Sequence, residues 1–190
     1  EVPLEAMIEA PAAPVLTGYL FAGWTPEVPT QMPAENMVFS ATWKPVKVNA
    51  VFNANGGTFV GYPEGTIINE TKDIINVPTE YNEKIVPPVS PERKNFSFAG
   101  WEPTVGIMDS TETKTFNAKW AECYYTVKTY TMNTLGEYEV AETKYPATPG
   151  DQIDISESLN NAGEGLYGEA GKSDCKGVVK ADNSLVLTLY

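Results

Sequence analysis

Histidine is absent from this chain, cysteine occurs only twice, and 13 basic residues face 25 acidic ones. Each shortage excludes something. Without histidine there is no Ser-His-Asp or Cys-His nucleophile and no imidazole metal ligand. Cys123 and Cys175 alone cannot build a structural zinc site. What remains for chemistry is carboxylates, Lys and Tyr, and among 25 acids no pair stands out as a glycosidase-like couple. No catalytic, cofactor-binding or metal residue is assigned, no cofactor is expected, and the chain is not read as an enzyme. A net charge of −12 and a pI near 4.4 oppose binding to nucleic acid or anionic lipid, whose affinity rests on phosphate contacts. The acidity is spread along the whole chain and reads as a solubility feature. Long apolar runs are also missing: nothing approaches the eighteen or so residues of a membrane span, so no membrane insertion is expected in this segment. The first residues, EVPLEAMIEAP, have neither a basic segment nor a continuous apolar stretch, so any signal or anchor is expected outside it.

What is present is a repeat. With 42% hydrophobic and 20% charged residues among 190, the chain has the makings of one large domain or two to three small ones. FAGW occurs at Phe21–Trp24 and again at Phe98–Trp101, an offset of 77 that holds without a gap to Trp43 and Trp120. Ten of those 23 positions are identical, including Pro26/Pro103, Val28/Val105, Glu35/Glu112, Phe39/Phe116 and Ala41/Ala118, and Ile8/Ile85, Pro11/Pro88 and Pro14/Pro91 extend the match upstream. This is a duplication. Its first copy has nothing to match Lys47–Val77, so the chain is expected to be a piece of a longer tandem array.

Within the second copy, Val46, Val48, Ala50, Phe52 and Ala54 recur with an approximate period of two on one face and predict a half-buried strand. Asn55-Gly56-Gly57 predicts a turn, because Asn and Gly reach positive φ cheaply. Thr58–Tyr62 is expected as the returning strand. Prolines at 78, 87, 88 and 91 imply an extended, edge-like path over 77–95. In FSFAGW, alternation sets Phe96 and Phe98 on one face and Ala99 and Trp101 on the other, with Gly100 expected to admit a neighbouring segment. Phe116, Ala118 and Trp120 alternate again. A small unit with a thin core relies on such rings, each burying on the order of 150–250 Å², so core and edge packing is favoured over a ligand platform for the tryptophans.

These residues resemble the Listeria–Bacteroides repeat, the B-repeat of internalin-type surface proteins. Its order of strand, Asn/Gly turn, proline-containing stretch, aromatic-x-F-x-G-W motif and closing A-x-W strand appears here as FNANGGTF, IVPPVSP, FSFAGW and FNAKW. The resemblance covers 46–122 fully and 1–45 partially. It implies an α+β, mostly β architecture of tandem small β-grasp-like modules, each a mixed sheet plus a short helix, in an elongated array. The insert Gly61–Ile75 departs from the usual spacing and is either a decorated loop or the family's helix region.

Residues 123–190 form a different segment. Tyr125–Met132 is rich in β-branched and aromatic residues, Asn133–Gly136 is a turn, and a strand runs on through Tyr138, Val140 and Thr143. Pro149-Gly150-Asp151 breaks it. Asp154–Ala162 is expected as one short helix or irregular turn, with Ser156 as N-cap and Gly163 as stop. Lys176–Lys180, the turn Ala181–Ser184 and a buried final strand over Leu185–Tyr190 complete the order β-β-α-β-β. The segment resembles the mucin-binding-protein-like repeats of bacterial surface proteins at Tyr125–Tyr130, Gly136–Tyr138 and Gly177–Tyr190. A β-grasp-like layout would run its first and last strands parallel and adjacent at the sheet centre. That separates Cys123 from Cys175 and disfavours a disulfide, which needs Cα atoms within about 7 Å.

Other features are weaker. Asp151, Asp154 and Glu157 lack the close ligand spacing of a calcium loop. Asn69-Glu70-Thr71 and Asn95-Phe96-Ser97 match glycosylation sequons. Tyr62, Tyr81 and Tyr167, on Gly- or Pro-rich loops, either stack on sugar rings or cap the core. The two resemblances imply a non-catalytic repeat region of an extracellular bacterial cell-surface or cell-wall protein. It is expected to be a monomer that acts as a stalk or spacer with very short linkers at Lys44-Pro45 and Ala121-Glu122. The alternative is an adhesin module for a host glycoprotein, mucin or glycan, with no ligand-binding residue assigned.

Overall fold

The computed structural model describes residues 7–31, 33–62, 64–161 and 168–190. Its strands fall into groups that follow the repeat. In the first copy β1 (Tyr19–Thr25) pairs antiparallel with β2 (Ser40–Pro45). In the second, β3 (Lys47–Asn53), β4 (Ile67–Ile68), β5 (Ile74–Glu80), β6 (Phe96–Glu102) and β7 (Lys114–Glu122) form one mixed sheet in the order β4-β5-β3-β7-β6. Only β3 and β7 run parallel; the other neighbours are antiparallel. The last segment holds β8 (Tyr124–Met132), β9 (Tyr138–Pro146), β10 (Gln152–Asp154), α1 (Glu157–Asn160), β11 (Lys176–Val178) and β12 (Val186–Leu189). Here β12 lies parallel to β8 with β9 on the other side, and β10 pairs with β11. The architecture is therefore mostly β with mixed sheets.

The main core belongs to the second copy. The alternation read from β3 buries Val48, Ala50, Phe52 and Ala54, joined by Phe59, Ile75, Ile85, Met108 and Phe116. One predicted detail is corrected and two are refined. Thr58–Tyr62 is not a strand: after the turn at Asn55 and Gly56, both at positive φ, Thr58 bridges to Glu92 and the chain returns along β3 only at β5. The proline-rich stretch does contain a paired strand, since Pro78 sits in β5 opposite Asn49. Its missing donor is tolerated because β4 covers only Ile75 and Asn76, leaving the outer edge at Pro78 without a strand. Within the insert Gly61–Ile75 lies β4, and its described residues hold no helix.

The FAGW motif is a bulge. Register slips between Phe98 and Gly100, and between Phe21 and Gly23 in the first copy. The extra residue moves Trp101 onto the face of Phe98, against the simple alternation. The rings of Phe98 and Trp101 meet at 5.1 Å and those of Phe21 and Trp24 at 5.4 Å. Gly100 and Gly23 stand at φ 111° and 124° with open space where a Cβ would be. Their role is the backbone angle rather than close approach by a neighbour. Close approach falls to Gly57, where a Cβ would lie 2.6 Å from both the Glu92 carbonyl oxygen and the Trp120 ring.

In the last segment the hairpin forms as read, with Asn133 Oδ1 accepting from the N–H groups of Leu135 and Glu137. The helix is shorter than expected, a single turn over Glu157–Asn160, and Ser156 makes no side-chain cap; its hydroxyl donates instead to Asp154. Gly163, the expected stop, and Ala162 lie outside the described residues. The short strand β10 adds to the predicted β-β-α-β-β order. The expected strand Lys176–Lys180 is reduced to β11, and the final strand is buried fully only at Leu187. A small core of Cys123, Ala147 and Val179, flanked by Tyr125, Ile153 and Leu185, supports this segment.

Candidate functional site at the junctions between segments

One residue separates β2 from β3 and one separates β7 from β8: Val46 and Cys123, 77 apart. Each is held by the same two backbone bonds. The Val46 N–H donates to the Gly18 carbonyl at 2.9 Å, and Cys123 N–H to the Asn95 carbonyl at 3.0 Å. The Tyr81 N–H donates to the Val46 carbonyl at 2.9 Å, and Ala147 N–H to the Cys123 carbonyl at 3.0 Å. Gly18 and Asn95 are also 77 apart, and both are left-handed, at φ 81° and 65°. Glycine and asparagine are the residues that reach this region most cheaply.

Side chains then individualise the two junctions. At the first, the Tyr81 ring lies over Gly18, where a Cβ would come within 2.2 Å of it, and meets the Tyr19 ring edge-on at 5.5 Å. At the second, Asn95 takes the place of Gly18 and Ala147 that of Tyr81, while the Thr148 hydroxyl accepts from the Asn95 N–H at 3.0 Å. A cleft of about 410 Å³ opens here, lined by Asn95, Phe96, Glu122, Cys123, Tyr124, Lys144 and Pro146. Lys144 Nζ lies 4.5 Å over the Tyr124 ring. Cys123 is 2% exposed, and burial, followed by the charge of Asp151, pushes its thiol up from the ordinary value. Both cysteines are free.

Most of the other described sequence candidates have structural partners. Tyr62 is exposed at 48%, Tyr81 is packed into the first junction as described, and Tyr167 lies outside the described residues. All four tryptophans pack on neighbouring aromatics; Trp101 meets Phe52 at 4.9 Å, and Trp120 Nε1 donates to the carbonyls of Ala54 and Asn55 at 3.0 and 3.1 Å. Asn69 of the first sequon bonds Thr71 and Asp73 through its amide nitrogen and accepts from the N–H groups of Asp73 and Ile74. Those hydroxyl and amide donors hold the Asp73 carboxyl below its usual range. Asp151 accepts from the Thr148 N–H, and Asp154 pairs with Lys176 at 2.8 Å, which with Ser156 lowers its pKa. Among the described residues no group of three or more acids and cysteines is placed to hold a metal ion. No helix is long and apolar enough to cross a membrane, again among the described residues.

Residues 49–120 match the family model of the Listeria-Bacteroides repeat domain. Among curated proteins, the chain is 28% identical over 136 residues to a "Putative Gly-rich membrane protein" of Evansella cellulosilytica, covering 63% of this chain and 14% of that one. It is 26% identical over 159 residues to a "Putative membrane protein" of the same bacterium, covering 75% of this chain and 22% of that one. The chain thus spans less than a quarter of the length of either relative. No solved structure matches.

Proposed function

We propose that this chain is a non-catalytic repeat region of a bacterial cell-surface protein, and that it acts as a stalk or spacer. The junction geometry carries this reading. Two successive connections of one residue, each pinned by the same pair of backbone bonds, leave consecutive segments little freedom, which supports an end-to-end arrangement. The repeat match and the membrane-protein titles of the relatives support a surface location. On this reading residues 1–45, 46–122 and 123–190 are successive modules, the last related to mucin-binding-protein-like repeats.

The cleft at the second junction favours a second reading, recognition of a host glycoprotein or glycan where the second copy meets the last segment. Its volume falls within the range of small-ligand sites, and its lining combines aromatic faces with amide and charged groups. A binding panel of mucins, matrix proteins and glycans separates the two. The spacer reading predicts no saturable binding by the full chain. Saturable binding that Tyr124→Ala removes would replace it with recognition.

A further inference from the structure

A residue in an extended strand turns its own N–H and C=O to one side and those of its two neighbours to the other. At the second junction both sides are met. Cys123 itself faces Asn95 and Ala147, through the two backbone bonds given above. On the opposite side stand the Glu122 carbonyl and the Tyr124 N–H, and a single side chain remote in sequence answers both. Asn183 Oδ1 accepts from the Tyr124 N–H at 2.9 Å, and Asn183 Nδ2 donates to the Glu122 carbonyl at 3.1 Å. A planar carboxamide offers an acceptor and a donor as a peptide unit does, so it stands in for a neighbouring strand across this one residue.

The last segment fixes the turn that carries Asn183. Asn183 stands at φ 60°, and its N–H donates to the Lys180 carbonyl at 3.1 Å. The Ser184 N–H donates to Asp182 Oδ1 at 3.0 Å. Directly after the turn the Leu185 carbonyl accepts from the Thr126 N–H at 3.0 Å, and β12 begins its parallel pairing with Val186 beside Thr126. The two carboxamide bonds span 59 and 61 residues, so they form only once β12 is docked on β8.

We infer that Asn183 is the latch of the second junction: its carboxamide locks the connection between the second copy and the last segment, whose stiffness then depends on closure of the final turn and strand. The first junction takes its hold from Tyr81, through its N–H on the Val46 carbonyl and its ring over Gly18. In both cases the following segment supplies the lock on the connection ahead of it. Opening the turn at Asn183 therefore frees the second junction and leaves the first intact. The inference deepens the spacer reading and rests on it for its purpose.

The test uses the full chain with Cys175→Ser, which leaves Cys123 as the one thiol. Asn183→Gly keeps the positive φ and removes the carboxamide. The reporters are groups that Asn183 does not bond: the N–H groups of Cys123 and Ala147, and the Cys123 thiol. Their amide exchange and the reaction with a thiol reagent should quicken about tenfold or more, as loss of two hydrogen bonds would give. Amides at the centres of β3 and β8, and those of Val46 and Tyr81, should exchange as before. Quickening at Tyr124 alone would overturn the inference, because Asn183 would then cap one amide and hold nothing else. Quickening at Val46 and Tyr81 would also overturn it, since each lock would no longer be confined to its own junction. Asn183→Asp keeps the acceptor and loses the donor, so its effect should be intermediate. Should the glycine variant loosen all of β8, the aspartate variant decides, and unchanged reporters in it would overturn the inference. Scattering from the unaltered chain tests the spacer reading separately: a compact chain whose Asn183 variants still open the junction would keep the latch and end that reading.

Discussion

Gly18→Ala is the substitution that probes the first junction most sharply. The new methyl group would lie 2.2 Å from the Tyr81 ring, at a backbone φ of 81°. Two costs follow. The left-handed conformation costs a non-glycine residue about 1–2 kcal/mol. Displacing the Tyr81 ring forfeits its edge-on contact with Tyr19, worth about 0.5–1.5 kcal/mol. Together they destabilise the docking of β1 and β2 on the second copy by about 2–3 kcal/mol. The assay is amide exchange across β1 and β2 alongside urea unfolding followed by tryptophan emission. In a Tyr81→Ala background the steric part vanishes and only the backbone cost remains, so the two substitutions should couple by about 1 kcal/mol. Additive costs would refute the packing described for this junction.

Gly100→Ala meets open space, so only its φ of 111° opposes it; a loss of about 1–2 kcal/mol is expected in urea unfolding, and Gly23→Ala should lose a similar amount. Gly57→Ala drives a methyl group against the Glu92 carbonyl and the Trp120 ring, and a loss at the upper end of about 1–3 kcal/mol is expected, with a shift in tryptophan emission. Asp154 is held below its ordinary value of 3.8 by Lys176 and Ser156. Its contribution is therefore complete above that value and fades as pH falls below it. Amide-exchange protection across β10 and β11, taken relative to the intrinsic rate at each pH, should fall in that acid range, and Asp154→Asn should remove the dependence. Burial raises both thiols, Cys123 being the more enclosed, so Cys123 should react with a thiol reagent only on unfolding and Cys175 at an intermediate rate.

Local pattern made parts of this fold legible. The alternation Val48, Ala50, Phe52, Ala54 predicted β3 and its buried face, and Asn133 with Gly136 predicted the β8–β9 hairpin. What escaped depends on non-local pairing. Nothing in Thr58–Tyr62 reveals that its partner is Glu92, or that Pro78 sits on a strand whose outer neighbour is only two residues long. Alternation placed Phe98 and Trp101 on opposite faces because it assumes an unbroken strand; the glycine that breaks it was read as making room. The junctions left a signal that a closer reading of the offset finds. Gly18 and Asn95 are not identical, but both are residue types that accept positive φ, and they recur 77 apart just ahead of each aromatic motif. The helix at Glu157 stays a single turn where the sequence predicts a longer one, because Ser156 bonds Asp154 and does not cap.

The stalk proposal holds that one-residue connections set the segments end to end. Small-angle scattering of the full chain tests it most directly. A compact body of this length has a radius of gyration of about 16 Å. The account predicts a value well above that, with a pair-distance distribution skewed to long distances and unchanged by dilution. A value near about 16 Å with a symmetric distribution would contradict it.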